Sequence, residues 1–272
     1  YLTHLDRLDE MERVATKQAT ELSSEECVTL VATLQHKAPA PALRLGKIFL
    51  AQLLAPREDG RPTYHGVTQL AQRVLELGQK QSDDAACRAA REALLLTSPT
   101  LSIWKEHLAS LETTERESAR ERLLKQLLEW RGSQAEQLEI LLEEREWERA
   151  WGIASGGYSS SYALALAPRV VEHLPQPVRD FGLKTAAPII STNQAAHYEI
   201  AAAWLAVVRT AEIAMGRGSE WNERYETLLI ENKRKYKLMP MLEELGRAPE
   251  DEALALVPLA PKERKPLIFK IN

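Results

Sequence analysis

The sequence predicts an all-α protein, an α-solenoid of irregular antiparallel helical hairpins. Apolar residues recur at helical spacing along almost the whole chain, and the alternating β-branched and aromatic runs typical of strands are nearly absent. Ala, Leu, Glu and Arg dominate the composition. These residues lose little rotamer freedom in a helix. With 272 residues, 44% of them hydrophobic and 27% charged, the chain is able to bury a core.

The first helices are predicted from apolar stripes and from helix-start signals. A stripe within residues 2–14 indicates one helix. Ser23 and Ser24 are good N-caps for a second helix that runs through Leu34. Pro39 and Pro41 precede a third stripe from Leu43 to Leu53, and the segment PREDGRP (56–62) predicts a turn.

The middle of the chain continues the helical pattern with short loops, which make successive helices antiparallel. The predicted helices cover 63–79, 82–97, 99–112, 114–131 and 133–145. In the segment LEILLEEREWERAWGIA (138–154), the predicted core residues are Leu138, Leu141, Leu142, Trp147, Ala150 and Trp151. Trp104 and Trp221 also lie on apolar stripes and are predicted to be buried.

Two pairs of stretches repeat along the chain. WKEHLASL (104–111) and WNERYETL (221–228) share a tryptophan, an apolar residue four positions on and a leucine seven positions on. YHGVTQLAQRVLEL (64–77) and YEIAAAWLAVVRTA (198–211) share a tyrosine before small and apolar residues at helical spacing. Such hairpins must stack to bury their apolar faces. The pattern resembles tetratricopeptide repeats without their strict period.

We expect one helical-repeat domain over residues 1–247, with a subdivision considered near 153–168, and an extended tail over 248–272. The segment IASGGYSSSYALALAP (153–168) is rich in Gly and Ser but lacks a phosphate-binding loop pattern and a nucleophile elbow. It is predicted to be a hairpin loop in which Ser160 or Ser161 caps the next helix.

The stretch 221–245 combines aromatic residues with cations. On one helix, at about 100° per residue, the predicted inward stripe is Trp221, Tyr225, Leu228, Leu229, Asn232, Tyr236 and Met239. Lys233, Arg234 and Lys237 fall on the opposite side, and Pro240 is predicted to bend or end the helix.

Three interpretations of these cations stay open: a solvated helix face, a nucleic-acid-binding strip, or a contact for an acidic protein partner. The net charge of −4 and the pI near 6.0 argue against wholesale binding to a polyanion. Aromatic rings on the opposite face also disfavour base stacking. The candidate contact residues, including the second cluster KERK, are Lys233, Arg234, Lys237, Lys262, Arg264 and Lys265.

The region of roughly residues 100–246 resembles the C-terminal helical region of bacterial SWIM zinc-finger proteins. The likeness rests on the acidic helix ending in WERAW (147–151), the helix led by Tyr198, the glycine turn near 216–218 and the ending KRKYKLMPMLEEL. In that family a separate CxC…CxH module holds the zinc, and this chain has no CxC. The resemblance therefore implies no zinc ligand here, a zinc module elsewhere in a larger protein, and a scaffold role for the helices.

No constellation in the sequence indicates an enzyme, a metal or a cofactor. The six histidines show neither HxxxH nor HExxH spacing, and Cys27 and Cys87 have apolar neighbours typical of buried, reduced thiols. No apolar run reaches the roughly 18 residues of a membrane span, and the start of the chain lacks the pattern of a signal peptide. We expect a cytoplasmic monomer.

The leading hypothesis is a non-catalytic helical scaffold that mediates protein–protein interaction within a larger zinc-finger protein. The alternative is a nucleic-acid-binding helical module that uses the basic clusters at 233–237 and 262–265.

Overall fold

The chain is all-α wherever a computed structural model describes it. The described residues are 8–17, 22–55, 66–130, 132–156 and 160–249. They form fourteen α-helices and a short 3-10 helix and contain no β-strand, so the all-α prediction is confirmed. The predicted turn at 56–62 and all but the first two residues of the predicted tail lie outside the described residues. The contacts divide the chain into two compact units, residues 1–144 and 145–272.

The first unit contains eight helices within its described residues. They are α1 Leu8–Lys17, α2 Ser24–Leu34, α3 Pro39–Leu54, α4 Val67–Gln81, α5 Asp84–Thr97, α6 Leu101–Ala109, α7 Thr113–Glu129 and α8 Gln134–Glu143. Ser23 caps α2 as predicted: its hydroxyl accepts from the Glu26 amide at 3.3 Å, and the Glu26 carboxylate accepts from the Ser23 amide at 2.8 Å. A local start signal therefore places this helix.

Two glycines allow close packing of α3, α4 and α5. A Cβ on Gly46 would lie 2.7 Å from Cγ2 of Val74, and one on Gly78 would lie 2.9 Å from Sγ of Cys87. Cys27 and Cys87 are buried and unpaired by disulfides, as predicted. Burial raises the pKa of both thiols, which disfavours the reactive thiolate.

Glu144 connects three segments at the end of the first unit. Its carboxylate accepts hydrogen bonds from Nε1 of Trp104 and from Nε of Arg120, each at 2.5 Å. Arg120 also donates to the Glu144 carbonyl at 3.3 Å. The indole N–H of the buried Trp104 is thereby satisfied.

The second unit contains six α-helices within its described residues. They are α9 Trp147–Gly156, α10 Ser160–Val170, α11 Pro175–Ser191, α12 Tyr198–Ala214, α13 Gly218–Asn232 and α14 Met239–Leu245. The predicted bounds of the hairpin loop, 153–168, are wrong, because α9 extends to Gly156 and α10 begins at Ser160. Residues 157–159 between these helices lie outside the described residues. The alternating Ala and Leu residues after Ser161 are strong helix formers and outweigh the local Gly and Ser content.

Helices α11 and α12 form a closely packed hairpin. A Cβ on Gly182 of α11 would lie 2.7 Å from Cγ2 of Val208 and 3.3 Å from Cε3 of Trp204. Elsewhere along the hairpin, Nε of Arg179 donates to the fully buried carboxylate of Glu212 at 2.7 Å. The ion pair compensates part of the cost of burying that charge.

Three of four tryptophan predictions are confirmed. Trp104, Trp151 and Trp221 are buried. Trp147 is only half-buried, so its predicted core position is wrong. As the first residue of α9 it stacks on the exposed ring of His173, with centroids 4.2 Å apart and planes at 7°. The ring of Trp147 therefore packs against another ring at the start of the helix and not in the core.

His107 is a buried imidazole in the first unit. Only 2% of its surface is exposed, and neither ring nitrogen has a hydrogen-bond partner. Burial lowers the pKa of the imidazole, and the field of Glu92 opposes that shift in part. Arg122, Arg91 and Arg88 add to the lowering. The folded unit therefore favours neutral His107.

This preference predicts a pH-dependent stability. Between the lowered pKa of the folded state and about 6.5 in the unfolded state, the unfolded chain binds more protons. The free energy of unfolding should therefore fall as the pH drops below about 6.5, by at most about 1.4 kcal/mol per pH unit. Chemical denaturation between about pH 7.5 and 5 measures this slope. In His107→Leu the slope should flatten; an equal slope in both proteins would contradict the assignment.

Candidate functional site

The predicted helix through residues 221–239 is interrupted. Helix α13 ends at Asn232, residues 233–238 form a turn, and α14 starts at Met239. The continuous helix is therefore a wrong prediction. Within a helix, a proline ring clashes with the carbonyl four residues earlier, so its effect reaches backwards along the chain. Pro240 therefore disfavours a helix through Tyr236, although Pro168 and Pro188 lie inside α10 and α11. Pro240 occupies the first turn of α14 instead.

Because α13 ends at Asn232, Tyr236 does not lie on the inward stripe of that helix. Its side chain is 87% exposed, so the predicted inward position is wrong. Trp221, Tyr225 and Asn232 are buried as predicted. The Nδ2 of Asn232 donates to the carbonyl of Leu228, one turn earlier in α13, at 2.8 Å. The inward stripe therefore ends where the helix ends.

Three of the four cations in the turn, Lys233, Arg234 and Lys237, are exposed as predicted. Lys233, Arg234 and Lys237 have no ion-pair partner among the residues that the structure describes. Tyr236 lies between Lys235 and Lys237 in the same turn. An aromatic ring and unpaired cations thus share one region of the surface, contrary to the predicted separation. Three further candidate residues lie outside the described residues: Lys262, Arg264 and Lys265.

Lys235 holds the turn against α11. Its Nζ donates to the carbonyl of Ile190, in the last turn of α11, at 2.5 Å. A cation is favourable there because the carbonyls at the C-terminus of a helix lack partners within the helix. The backbone amide of Lys235 donates to the Asn232 carbonyl at 2.8 Å, and that of Leu238 donates to the Lys235 carbonyl at 2.9 Å. The buried Leu238 fixes the other end of the turn.

Ile230 extends the exposed region onto α13. Its side chain is 66% exposed. Lys233 follows at i+3 and keeps helical backbone angles, so it lies on the same face as Ile230, and the exposed Arg234 is the next residue of the turn. We call the set Ile230, Lys233, Arg234, Tyr236 and Lys237 the basic–aromatic surface. At about 100° per residue, Ile230 lies opposite the inward stripe, on the side of Arg234 and Lys237, so the periodicity could have indicated its exposure. Pro240 could have indicated an interruption of the helix near Tyr236.

Trp221 of α13 connects this helix to the chain that follows α14. The indole Nε1 of Trp221 donates to the Gly246 carbonyl at 3.0 Å, and its ring stacks on Tyr225 with centroids 6.1 Å apart. The chain after α14 then crosses α13, where the Ala248 amide donates to Oδ1 of Asn222 at 2.7 Å. Trp221 is therefore a core residue of the second unit.

The described residues offer no metal centre and no membrane span. No group of three or more His, Cys, Asp or Glu side chains within them is arranged to hold a metal ion. None of their helices combines the length and the apolar character needed to cross a bilayer.

Comparisons with protein-family models, with curated proteins and with solved structures find no match. The likeness to SWIM zinc-finger proteins is therefore untested and stays a prediction.

Tyr225 is buried and Tyr236 is exposed, so their replacement by alanine should change the free energy of unfolding by different amounts. Tyr225→Ala should lower the free energy of unfolding by about 3 kcal/mol, because it removes a buried ring. Tyr236→Ala should change it by less than about 0.5 kcal/mol, as surface substitutions usually do. Chemical denaturation measures both. A large loss for Tyr236→Ala would show that its ring packs in the fold.

Proposed function

We propose that this chain is a non-catalytic helical scaffold that binds a protein partner through the second unit. The observation that carries the proposal is the exposure of Tyr236 and Ile230, at 87% and 66%. The other exposed large hydrophobic residues of the described chain are at most 40% exposed. Burying such side chains in water-excluding contacts is a main source of affinity in protein interfaces.

The composition of the basic–aromatic surface suits a protein interface. Tyrosine and arginine are enriched among the residues that dominate binding energy, and Arg234 and Tyr236 are two positions apart. Ile230 contributes an aliphatic surface that a protein side chain can cover. The same proposal includes a finer description of the fold, a solenoid of tetratricopeptide-like hairpins. It also includes the likeness to SWIM zinc-finger proteins.

Nucleic-acid binding is the second candidate function. Tyr236 among unpaired cations is the observation that favours it, because single-stranded nucleic acids stack on aromatic rings beside positive charge. Two features weigh against it. The surface has one ring, whereas a stacking platform usually offers several, and the net charge of the chain is −4.

Selection from a phage library of random peptides tests the proposed function. We expect the chain to enrich peptides that bind it in solution with micromolar affinity, whereas an unrelated helical protein of similar pI should not enrich them. Labelled single-stranded oligothymidine and oligouridine should bind weakly at physiological salt, because few phosphates are neutralised. Enrichment of no peptide, together with tight oligonucleotide binding, would replace the proposed function with the second candidate.

A further inference from the structure

We propose that the basic–aromatic surface docks an acidic segment of a partner protein that carries an apolar anchor residue. This inference rests on the proposed function and names the site and the partner chemistry. It combines three observations: unpaired cations, two strongly exposed apolar side chains, and a turn held in place by buried neighbours.

Charge complementarity identifies the acidic part of the partner. Residues 230–238 contain four cations and one carboxylate, Glu231. Lys235 is bound to the Ile190 carbonyl, so three cations remain for a ligand. The loop that follows Ile190, residues 191–197, is exposed and contains no carboxylate. Acidic side chains would thus meet attractive charge on this part of the second unit.

The apolar part of the partner follows from Ile230 and Tyr236. Solvated cations attract acidic groups over a distance, but each exposed ion pair adds only a modest amount of affinity. Covering an isoleucine and a tyrosine removes apolar area from water and supplies the larger favourable change. A purely acidic segment would leave both side chains exposed. The fitting segment therefore carries at least one apolar residue among its carboxylates.

The turn is held in its exposed conformation before any partner binds. Asn232 and Leu238 are buried at its two ends, and Lys235 is bonded to the end of α11. The amides of Lys235, Leu238 and Met239 all donate to backbone carbonyls of the turn or of the end of α13. A preorganised surface loses less conformational entropy on binding. The exposure of Tyr236 is thus a fixed feature of the second unit.

Peptides from the phage selection provide the probe. We expect the enriched sequences to be rich in Asp and Glu and to contain an apolar residue. Their affinity, measured by fluorescence anisotropy, should fall by about tenfold or more in Tyr236→Ala and in the triple variant Lys233→Gln, Arg234→Gln, Lys237→Gln. Raising the salt concentration should weaken binding to the parent more than to the triple variant.

Two matched controls separate this site from general effects. The triple variant Lys17→Gln, Lys37→Gln, Lys80→Gln makes the same change of net charge with exposed lysines of the first unit. Tyr162→Ala removes another exposed tyrosine of the second unit. Both controls should bind the peptides within about twofold of the parent. Circular dichroism and unfolding midpoints of all variants should match those of the parent.

The outcomes distinguish this inference from the proposed function. Enriched peptides that are neutral or basic, or that bind the Tyr236 and triple variants normally, would overturn the docking site and leave the scaffold function standing. Enrichment of no peptide would overturn both. Oligonucleotide binding that is lost in the same two variants would make this surface a nucleic-acid site and overturn the inference.

Discussion

The second unit depends on the close approach of α11 to α12 at Gly182, where an added side chain would lie too near its neighbours. Val208 and Trp204, which face Gly182, are both fully buried. Val208 is β-branched and has few alternative rotamers, so it has no easy way to make room for another carbon. The absence of a side chain at Gly182 lets the two 17-residue helices pack closely. Helices α13 and α14 then pack against α12.

The exposed surface is a consequence of this packing. Helix α11 supplies the Ile190 carbonyl that receives Lys235, and α12 supports the helices on either side of the turn. Asn232 and Leu238 are buried at the ends of the turn, which leaves Tyr236 directed to solvent. The chain thereby keeps an aromatic ring in contact with water, which is unfavourable. Burial of that ring against a partner would be favourable.

Local signals in the sequence predict much of the fold. They do not predict the contacts between residues that are distant in the sequence. Ser23 and its capping box mark a helix start within four residues of sequence, and the periodicity correctly places the early part of α13. The same periodicity continues to Tyr236, where it fails because α13 has already ended at Asn232. A proline four residues after Tyr236 disfavours a helix there. The exposure of the cations follows from the sequence. The bond from Lys235 to Ile190 joins residues 45 positions apart, and nothing in the local pattern indicates it.

The most direct test of the central claim compares two helical glycines of the second unit by chemical denaturation. Gly152 on α9 is exposed, and a Cβ there would have no atom within 4 Å. Gly152→Ala should raise the free energy of unfolding by about 0.5–1 kcal/mol through helix propensity alone. Gly182→Ala should lower it by about 1–3 kcal/mol, because the added carbon overpacks the contact with α12. An increase for Gly182→Ala similar to that of Gly152→Ala would contradict the claim that the unit depends on this close approach.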